Sequence, residues 1–318
     1  MTTTNCPLCG CADGVPINQY EFATIWRWLE QQHGARFTQD LIDAHSPAKI
    51  TSLLKCSECG LQYFSPATSG NSEFYRQLTY ANSSYYSPIK WDFKCAISCA
   101  KKSVKLLDIA CGGGAFLEYA QSFGHTVQGI DTNPLAIDQA RSRELNAQLI
   151  SLEQFSKVNA GRFDLVTAFQ VLEHISSILP FTQHAAHCLR PGGRLLVSVP
   201  NRYRFWRNPN EPLDCPPHHL SRWAKPQLEE LAQRCGLKLK RVHYEPASAL
   251  DLLTPLQQWQ QPAADANAHG VALGKSRAPS HQALIGFVKT QLERPSRLLG
   301  LLRFRRLSML AELIVPER

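Results

Sequence analysis

The sequence has no apolar segment long enough to cross a membrane, because no run of about 18 apolar residues occurs in it. Its first ten residues, MTTTNCPLCG, also lack the apolar stretch of a secretory signal. Both absences predict a cytoplasmic protein, in which thiols stay reduced. The 11 cysteines are therefore expected to bind metal or to pack in the core, and not to form disulfides.

Acidic residues are almost absent from one long segment near the C-terminus. Residues 275–306 contain eight Lys or Arg but a single acid, Glu293, and this segment carries most of the formal net charge of +8. The stretch 281–306 is both apolar and basic, which fits either peripheral contact with an anionic membrane or a helix packed on the core. Residues 255–280 are rich in Ala, Gln, Pro and Gly, and they predict a linker or a mobile lid.

Two short cysteine motifs near the N-terminus share one pattern. CPLCG at residues 6–10 and CSECG at residues 56–60 each place two cysteines at C-x-x-C spacing before a glycine. In such a knuckle, a tight turn aims both thiolates at one point, and the glycine takes the left-handed conformation that the turn needs. The two knuckles together predict a closed, structural Zn²⁺ site. Its predicted ligands are Cys6, Cys9, Cys56 and Cys59.

Other interpretations of these cysteines remain. The four residues could be two unrelated pairs, or one pair could be a redox site, although residues 1–60 show no thioredoxin-like βαβ pattern around it. Cys11 is a spare or competing ligand. Between the knuckles, YEFATIWRWLEQQHG has helical apolar spacing and TQDLIDAHS predicts a second short helix. We therefore expect the zinc to hold together the ends of a helical insertion.

Predicted strands and helices alternate from residue 104 onward. Helical patterns separate most of the predicted strands, and Asn133 and Pro134 mark the beginning of one helix. The alternation predicts an α/β fold with a doubly wound, mostly parallel sheet. The strands are predicted from VKLLDIA, TVQGID, AQLIS, FDLVTAF, PGGRLLVSVP and LKLKRVHYE.

The loop after the first of these strands lacks the first glycine of the G-x-G-x-x-G fingerprint. In LLDIACGGGAF, residues 106–116, the aligned run is Ala110-x-Gly112-x-x-Ala115. Three consecutive glycines rarely serve packing, and they let a ligand approach the backbone closely. Asp131 ends the second strand, where a carboxylate can accept hydrogen bonds from ribose hydroxyls. Dinucleotide dehydrogenases and methyltransferases share this arrangement, and the missing glycine disfavours the first class.

Four motifs, in order, resemble the class I S-adenosylmethionine-dependent methyltransferases over about residues 80–245. They are LLDIACGGG, Asp131, FDLVTAFQVLEHI and LRPGGRLLVSVPN. The resemblance implies S-adenosyl-L-methionine as cofactor and a Rossmann-like sheet of seven strands, with SMLAELIVP as the antiparallel seventh. Ala110 departs from the family, in which glycine is commonest there. The knuckles and EFYRQLTYANSSYYSPIKWDF resemble a bacterial subgroup with an N-terminal zinc-knuckle module that acts on small molecules and sugars.

The resemblance also implies the residues that bind the cofactor. Asp108 and the backbone of Ala110 to Gly114 would hold its methionine part, and Asp131 its ribose. Leu152 would contact the adenine, Gln170 would lie beside the sulfonium, and Tyr86 would close over the cofactor. The expected cofactor-binding residues are Asp108, Ala110, Gly112, Gly114, Asp131, Leu152, Gln170 and Tyr86.

Histidines are the candidates for a catalytic base, because a hydroxyl or carbon acceptor must lose a proton. His174 follows the fourth predicted strand, and His218 and His219 follow the fifth in PPHHLSRW. All three are expected at the carboxyl edge of the sheet, with a structural role as the alternative for each. Glu173 is a weaker candidate.

We therefore predict a methyltransferase for the oxygen or carbon of a small-molecule or sugar acceptor, for example in polysaccharide or secondary-metabolite biosynthesis. FQVLEH stands where enzymes that methylate base amines carry an Asn/Asp-Pro-Pro-aromatic run, so nucleic acid is not the expected partner. The alternative is an RNA- or protein-modifying methyltransferase that binds through the zinc module and the basic segment. The third hypothesis is a non-catalytic cofactor-binding scaffold. The intact glycine loop and Asp131 argue against it, because an inactive site would not need them.

These expectations divide the chain into five parts. They are a zinc-knuckle module with a helical insertion (1–65), a helical connector and cofactor lid (66–103), a Rossmann-like methyltransferase core (104–245), a linker with a basic amphipathic insertion (246–306) and a final strand (307–318).

Overall fold

The structure is a computed structural model, and it describes residues 5–81, 89–100, 103–204, 211–246 and 307–317. The predictions made for Tyr86 and for the linker and basic segment at 246–306 fall outside these described residues. Within them, no helix is both long and apolar enough to cross a membrane.

The N-terminal module combines helices with a small antiparallel sheet. Helix α1 buries the predicted apolar face and ends at Gly34, whose φ of 68° closes the last turn. The strand that precedes α1 was not predicted, because its side chains are mostly exposed and do not alternate in hydrophobicity. The elements are β1 (Gly14–Glu21), α1 (Phe22–His33), α2 (Gln39–Ala44), β2 (Ile50–Cys56) and β3 (Gln62–Ser65).

Two helices and a seven-stranded sheet follow. Along the chain, helices α3 (Ser72–Ala81) and α4 (Trp91–Cys99) come after the module and before the first strand of the main sheet. The remaining elements are β4 (Lys105–Ile109), α5 (Ala115–Ser122), β5 (Thr126–Asp131), α6 (Pro134–Ser142), β6 (Ala147–Leu149), α7 (Leu152–Val158), β7 (Phe163–Phe169), α8 (Ile178–His187), β8 (Leu189–Pro200), β9 (Ser221–Arg222), α9 (Lys225–Arg234), β10 (Lys238–Tyr244) and β11 (Ser308–Ile314).

The sheet has the strand order β10-β11-β8-β7-β4-β5-β6. Strands β4 to β8 pair in parallel, whereas β11 runs antiparallel to both β8 and β10. The predicted doubly wound, mostly parallel fold with an antiparallel seventh strand is confirmed. Because strand order reverses beside β4, the loops after β4 and β7 meet at the carboxyl edge of the sheet.

The N-terminal module packs on the rest of the protein through a shared apolar core. Leu8 and Leu61 belong to the same buried cluster as Trp223 and Leu228 near and on α9. Strand β9 pairs with β3 and so completes the four-stranded sheet β1-β2-β3-β9. Burial of each large apolar side chain contributes roughly 1.5–3 kcal/mol, so this contact stabilises both parts.

Candidate active site and metal centre

The loop after β4 is built from residues in the left-handed backbone region. Ala110 has φ 56°, Gly112 has φ 54° and Gly114 has φ 83°. A Cβ on Gly114 would lie 2.4 Å from Leu145 Cδ1, and one on Gly113 would lie 2.5 Å from Gln139 Oε1. Packing against the buried Leu145 therefore contributes to the choice of Gly114, whereas the Gln139 Oε1 beside Gly113 is the end of a flexible side chain that can move aside. A Cβ on Gly112 would meet nothing within 4 Å, so this glycine alone borders open space.

Asp131 ends β5 and is hydrogen-bonded directly to this loop. Its Oδ2 accepts a hydrogen bond from the Gly112 amide at 2.9 Å, and its Oδ1 accepts one from the Asn133 amide at 2.8 Å. A carboxylate has about four acceptor positions, so two remain for a ligand. Asp131 thus orders the loop and still has hydrogen-bonding capacity for a diol.

Asp108 is buried beneath the loop, with 3% of its surface exposed. Its Oδ1 accepts a 2.7 Å hydrogen bond from the Thr167 hydroxyl on β7. Burial raises the pKa of Asp108 to about 8, with a smaller contribution from the negative charge of Asp131. A cationic group placed at this end of the loop would favour the ionised form of the carboxyl group.

Gln170 ends β7 with φ 54°, an uncommon conformation for a residue with a side chain. Its Nε2 donates to the Ser198 hydroxyl at 3.1 Å, and that hydroxyl donates to Asp92 Oδ2 at 2.8 Å. Asp92 lies on α4 and is only 4% exposed. The sequence analysis missed Asp92, since nothing in the local pattern distinguishes it from a first-turn carboxylate of a helix.

Leu152 occupies the first position of α7, a helix that the sequence analysis did not predict. Ser151 caps this helix by accepting a hydrogen bond from the Gln154 amide. Leu152 is half-buried and borders a surface cavity between the beginnings of α7 and α8, together with Ile175 and Phe181. Its position beyond the end of β6 keeps it on the same edge as the glycine loop.

His174, His218 and His219 form one cluster. Their ring centroids lie 4.4–4.8 Å apart, and one ligand nitrogen from each lies within 4.8 Å of the others. His218 and His219 are 5% and 8% exposed. Residues predicted from two separate loops are thus brought together at the carboxyl edge of the sheet.

Backbone carbonyl oxygens fix the tautomers of two of these rings. The Nδ1 of His218 lies 2.7 Å from the Leu213 carbonyl oxygen, and the Nδ1 of His174 lies 2.6 Å from the His218 carbonyl oxygen. A carbonyl only accepts, so both Nδ1 atoms carry the proton and the neutral rings keep a lone pair on Nε2. The Nδ1 of His219 faces an oxygen of Asp214 at 3.5 Å, which is longer than a hydrogen bond.

Several residues that the sequence analysis missed hold the cluster in place. The Tyr75 hydroxyl lies 2.9 Å from His174 Nδ1. Asp214 is paired with the Arg204 guanidinium, and Arg222 donates two hydrogen bonds to the Asp214 carbonyl oxygen. These partners are distant in sequence or lie in an irregular loop, so no local pattern could have revealed them.

Glu173 lies against this cluster and is 1% exposed. Neither carboxylate oxygen has a hydrogen-bond partner among the described residues. Its Oε1 lies 3.8 Å from His174 Nε2 and 4.0 Å from His219 Nε2. Burial raises the pKa of Glu173 to about 8 and lowers that of His174 to about 3.

The four predicted zinc ligands also converge. Cys6 Sγ lies 3.5 Å from Cys59 Sγ, Cys9 Sγ lies 3.4 Å from Cys56 Sγ, and all four sulfurs lie within 4.8 Å of one another. A tetrahedron of Zn–S bonds of about 2.3 Å has S–S edges of about 3.8 Å, so small shifts place all four sulfurs on one ion. Cys11 lies outside the cluster, and its Sγ contacts the Asp13 amide instead.

Comparison with known proteins gives a family match that covers half of the chain. Residues 84–242 match the methyltransferase domain family. The chain is 34% identical to a ubiquinone biosynthesis O-methyltransferase of Thiobacillus denitrificans over 104 residues, 31% of this chain and 45% of the relative. It is 30% identical to one of Nitrosococcus oceani over 160 residues, 45% of this chain and 68% of the relative.

The chain thus spans about half the length of the first of these relatives. A solved SAM-dependent methyltransferase from Archaeoglobus fulgidus aligns with a TM-score of 0.49 and 17% identity, covering 70% of this chain and 90% of that protein. The family match begins at residue 84, so the four-cysteine module lies outside it. The strand order and the family match agree, and this chain belongs to the class I S-adenosylmethionine-dependent methyltransferases.

Proposed function

We propose that this protein transfers a methyl group from S-adenosyl-L-methionine to a hydroxyl oxygen of a small-molecule acceptor. The observation that carries the proposal is the histidine cluster with Glu173 beside it. Glu173 comes four residues after the end of β7, the strand next to β4 and its glycine loop. A hydroxyl must lose its proton to attack a methyl group, and buried imidazole and carboxylate groups can assist that loss. The names of the relatives, which are O-methyltransferases, support oxygen over carbon.

The residues at the ends of β4 and β5 fit the cofactor. Gly112 presents backbone without a side chain to open space, and Asp131 keeps two acceptor positions for the ribose hydroxyls. Asp108 and the loop would hold the methionine part, and Leu152 and Gln170 the adenine and the region of the sulfonium. When bound, the cofactor supplies an activated methyl group, and the protein supplies alignment.

We propose sugars and phenols as acceptor classes, and we test them together with the alternatives. The purified protein is incubated with cofactor labelled in the methyl group and with separate pools of nucleotide sugars, hydroxylated aromatics, RNA and protein. We expect a labelled methyl ether from one of the first two pools. Label in RNA or protein, or on carbon, would contradict the proposal.

Asp131→Ala is expected to weaken cofactor binding by about 1.5–3 kcal/mol, because hydrogen bonds to a charged carboxylate are lost. This change corresponds to roughly 10- to 150-fold in Kd. Calorimetry with S-adenosyl-L-methionine measures it, and Asp138→Ala, an exposed carboxylate on α6, is the control. Unchanged affinity in a folded Asp131→Ala protein would rule out the ribose role.

Gly112→Ala tests whether the open space beside this glycine holds the cofactor. Gly112 and Gly124 both have positive φ, and a Cβ on either meets nothing within 4 Å. Alanine at either position should therefore cost about 1–2 kcal/mol of stability through the left-handed backbone. Only Gly112→Ala should also reduce cofactor affinity in calorimetry, and an equal affinity for both variants would contradict this placement.

A further inference from the structure

The histidine cluster has a feature that acid–base chemistry alone does not explain. Glu173 is almost fully buried, and none of the described residues forms a hydrogen bond to either carboxylate oxygen. A buried carboxyl group without a partner is costly whether or not it is ionised. Its Oε1 lies 3.8 Å from the Nε2 of His174 and 4.0 Å from the Nε2 of His219.

These two distances are too long for hydrogen bonds, which span about 2.7–3.2 Å. They do match the separation of two ligands on one metal ion. Ligand atoms about 2.1 Å from an ion lie about 3.0–4.2 Å apart when the angle between them is 90° or more. One nitrogen of each histidine lies within 4.8 Å of the others, so shifts of several tenths of an ångström bring the three rings onto the same ion, whereas Glu173 lies outside this group and its carboxylate has to move further.

The tautomers of His174 and His218 are those of metal-binding histidines. Their Nδ1 atoms donate to the His218 and Leu213 carbonyl oxygens, and the Nδ1 of His219 faces the Asp214 carboxylate at the longer distance of 3.5 Å. A ligating histidine almost always donates its second nitrogen in this way, which fixes the ring and raises its basicity. The charge of Asp214 is already balanced by Arg204, whereas no described lysine or arginine forms an ion pair with Glu173.

We propose that His174, His218, His219 and Glu173 bind a divalent transition-metal ion of the Zn²⁺ class, which takes the acceptor hydroxyl as a further ligand. Three imidazoles and one carboxylate suit zinc and its first-row neighbours, and zinc can expand to five ligands during a reaction. The part of the ion in methyl transfer rests on the proposed function. Its binding does not, because metal binding can be measured without an acceptor.

The ion would acidify the hydroxyl in the same way that it acidifies bound water. The hydroxyl proton leaves to solvent, and the oxygen lone pair forms the new bond to the methyl carbon. The carbon–sulfur bond breaks, and its electron pair stays on sulfur, which becomes neutral. In this scheme the histidines act as ligands, and no single imidazole has to carry the proton.

Metal content tests the site directly. Chelator-treated protein is reloaded with Co²⁺ alone, and we expect two ions per chain, of which one has thiolate charge-transfer absorption and the other only weak d–d bands. Glu173→Gln and His219→Gln should each lose the second ion and keep the thiolate band. His125→Gln, a histidine buried to 7% exposure elsewhere, is the control and should keep both ions.

The folded state of each variant is checked by its affinity for S-adenosyl-L-methionine. If neither variant folds, the wild-type stoichiometry decides: one ion per chain, bound by thiolates alone, overturns the proposal. Retention of the second ion by either folded variant overturns this ligand set.

Methyl transfer separates the metal role from the proposed function. Transfer by protein that holds only the thiolate-bound ion would refute the metal role and leave the proposed function intact. Two bound ions without transfer to any hydroxyl would refute the proposed function alone.

Discussion

His219→Ala is expected to slow methyl transfer about 10²- to 10⁴-fold, which is the usual contribution of assisted proton removal. His219 lies between Asp214, 3.5 Å from its Nδ1, and Glu173, 4.0 Å from its Nε2. Its removal should leave the acceptor hydroxyl protonated and unaligned. The glycine loop and Asp131 contain none of these atoms, so affinity for S-adenosyl-L-methionine should not change.

The measurement is single-turnover transfer to the true acceptor, together with cofactor calorimetry and thermal unfolding. His174→Ala and His218→Ala should behave similarly, whereas His125→Ala should transfer at the normal rate. A loss of thermal stability without a loss of rate would mean that the cluster is structural. Near-normal turnover in all three variants would mean that the protein works by alignment alone, which sulfonium chemistry permits.

The sequence was sufficient for features whose signal is local. Apolar runs bounded by turn residues predicted the strands of the main sheet, and SMLAELIVP was correctly assigned as β11 (Ser308–Ile314). The two C-x-x-C-G motifs predicted the convergence of their sulfurs, because each glycine, Gly10 and Gly60, has the positive φ that the turn requires. Spacing alone determines these outcomes.

Features that depend on distant partners could not be predicted in this way. Strand β9 is two residues long, and only its pairing with β3 makes it a strand. Tyr75 reaches His174 across 99 residues of sequence, and Asp92 reaches Ser198 across 106. The glycine loop also has a partner that no local pattern shows, since a Cβ on Gly114 would lie 2.4 Å from Leu145 Cδ1.

Cys56→Ser is expected to remove the thiolate-bound ion completely, because a serine hydroxyl is not a zinc ligand at neutral pH and three thiolates do not close the site. Cys56 is 1% exposed and belongs to the same apolar cluster as Leu8, Leu61 and Trp223. Loss of the ion should therefore loosen residues 1–65, and also α9, where Gln227 Nε2 donates to the Cys59 carbonyl oxygen at 2.7 Å. The strands around the glycine loop should stay folded, because their core lies in the main sheet.

Metal analysis and hydrogen exchange measure both effects in one preparation. Cys11→Ser is the matched control, since Cys11 lies beside the knuckle but outside the four-sulfur cluster, and it should keep the full metal content. Amide protection in the Cys56→Ser protein should fall in the N-terminal module and in residues 221–237, and should persist in β4, β5 and β7. Structural zinc contributes folding free energy directly, so a lower thermal midpoint should accompany the loss. If Cys56→Ser keeps the thiolate-bound ion, or if Cys11→Ser loses it, the four assigned cysteines are not the ligand set.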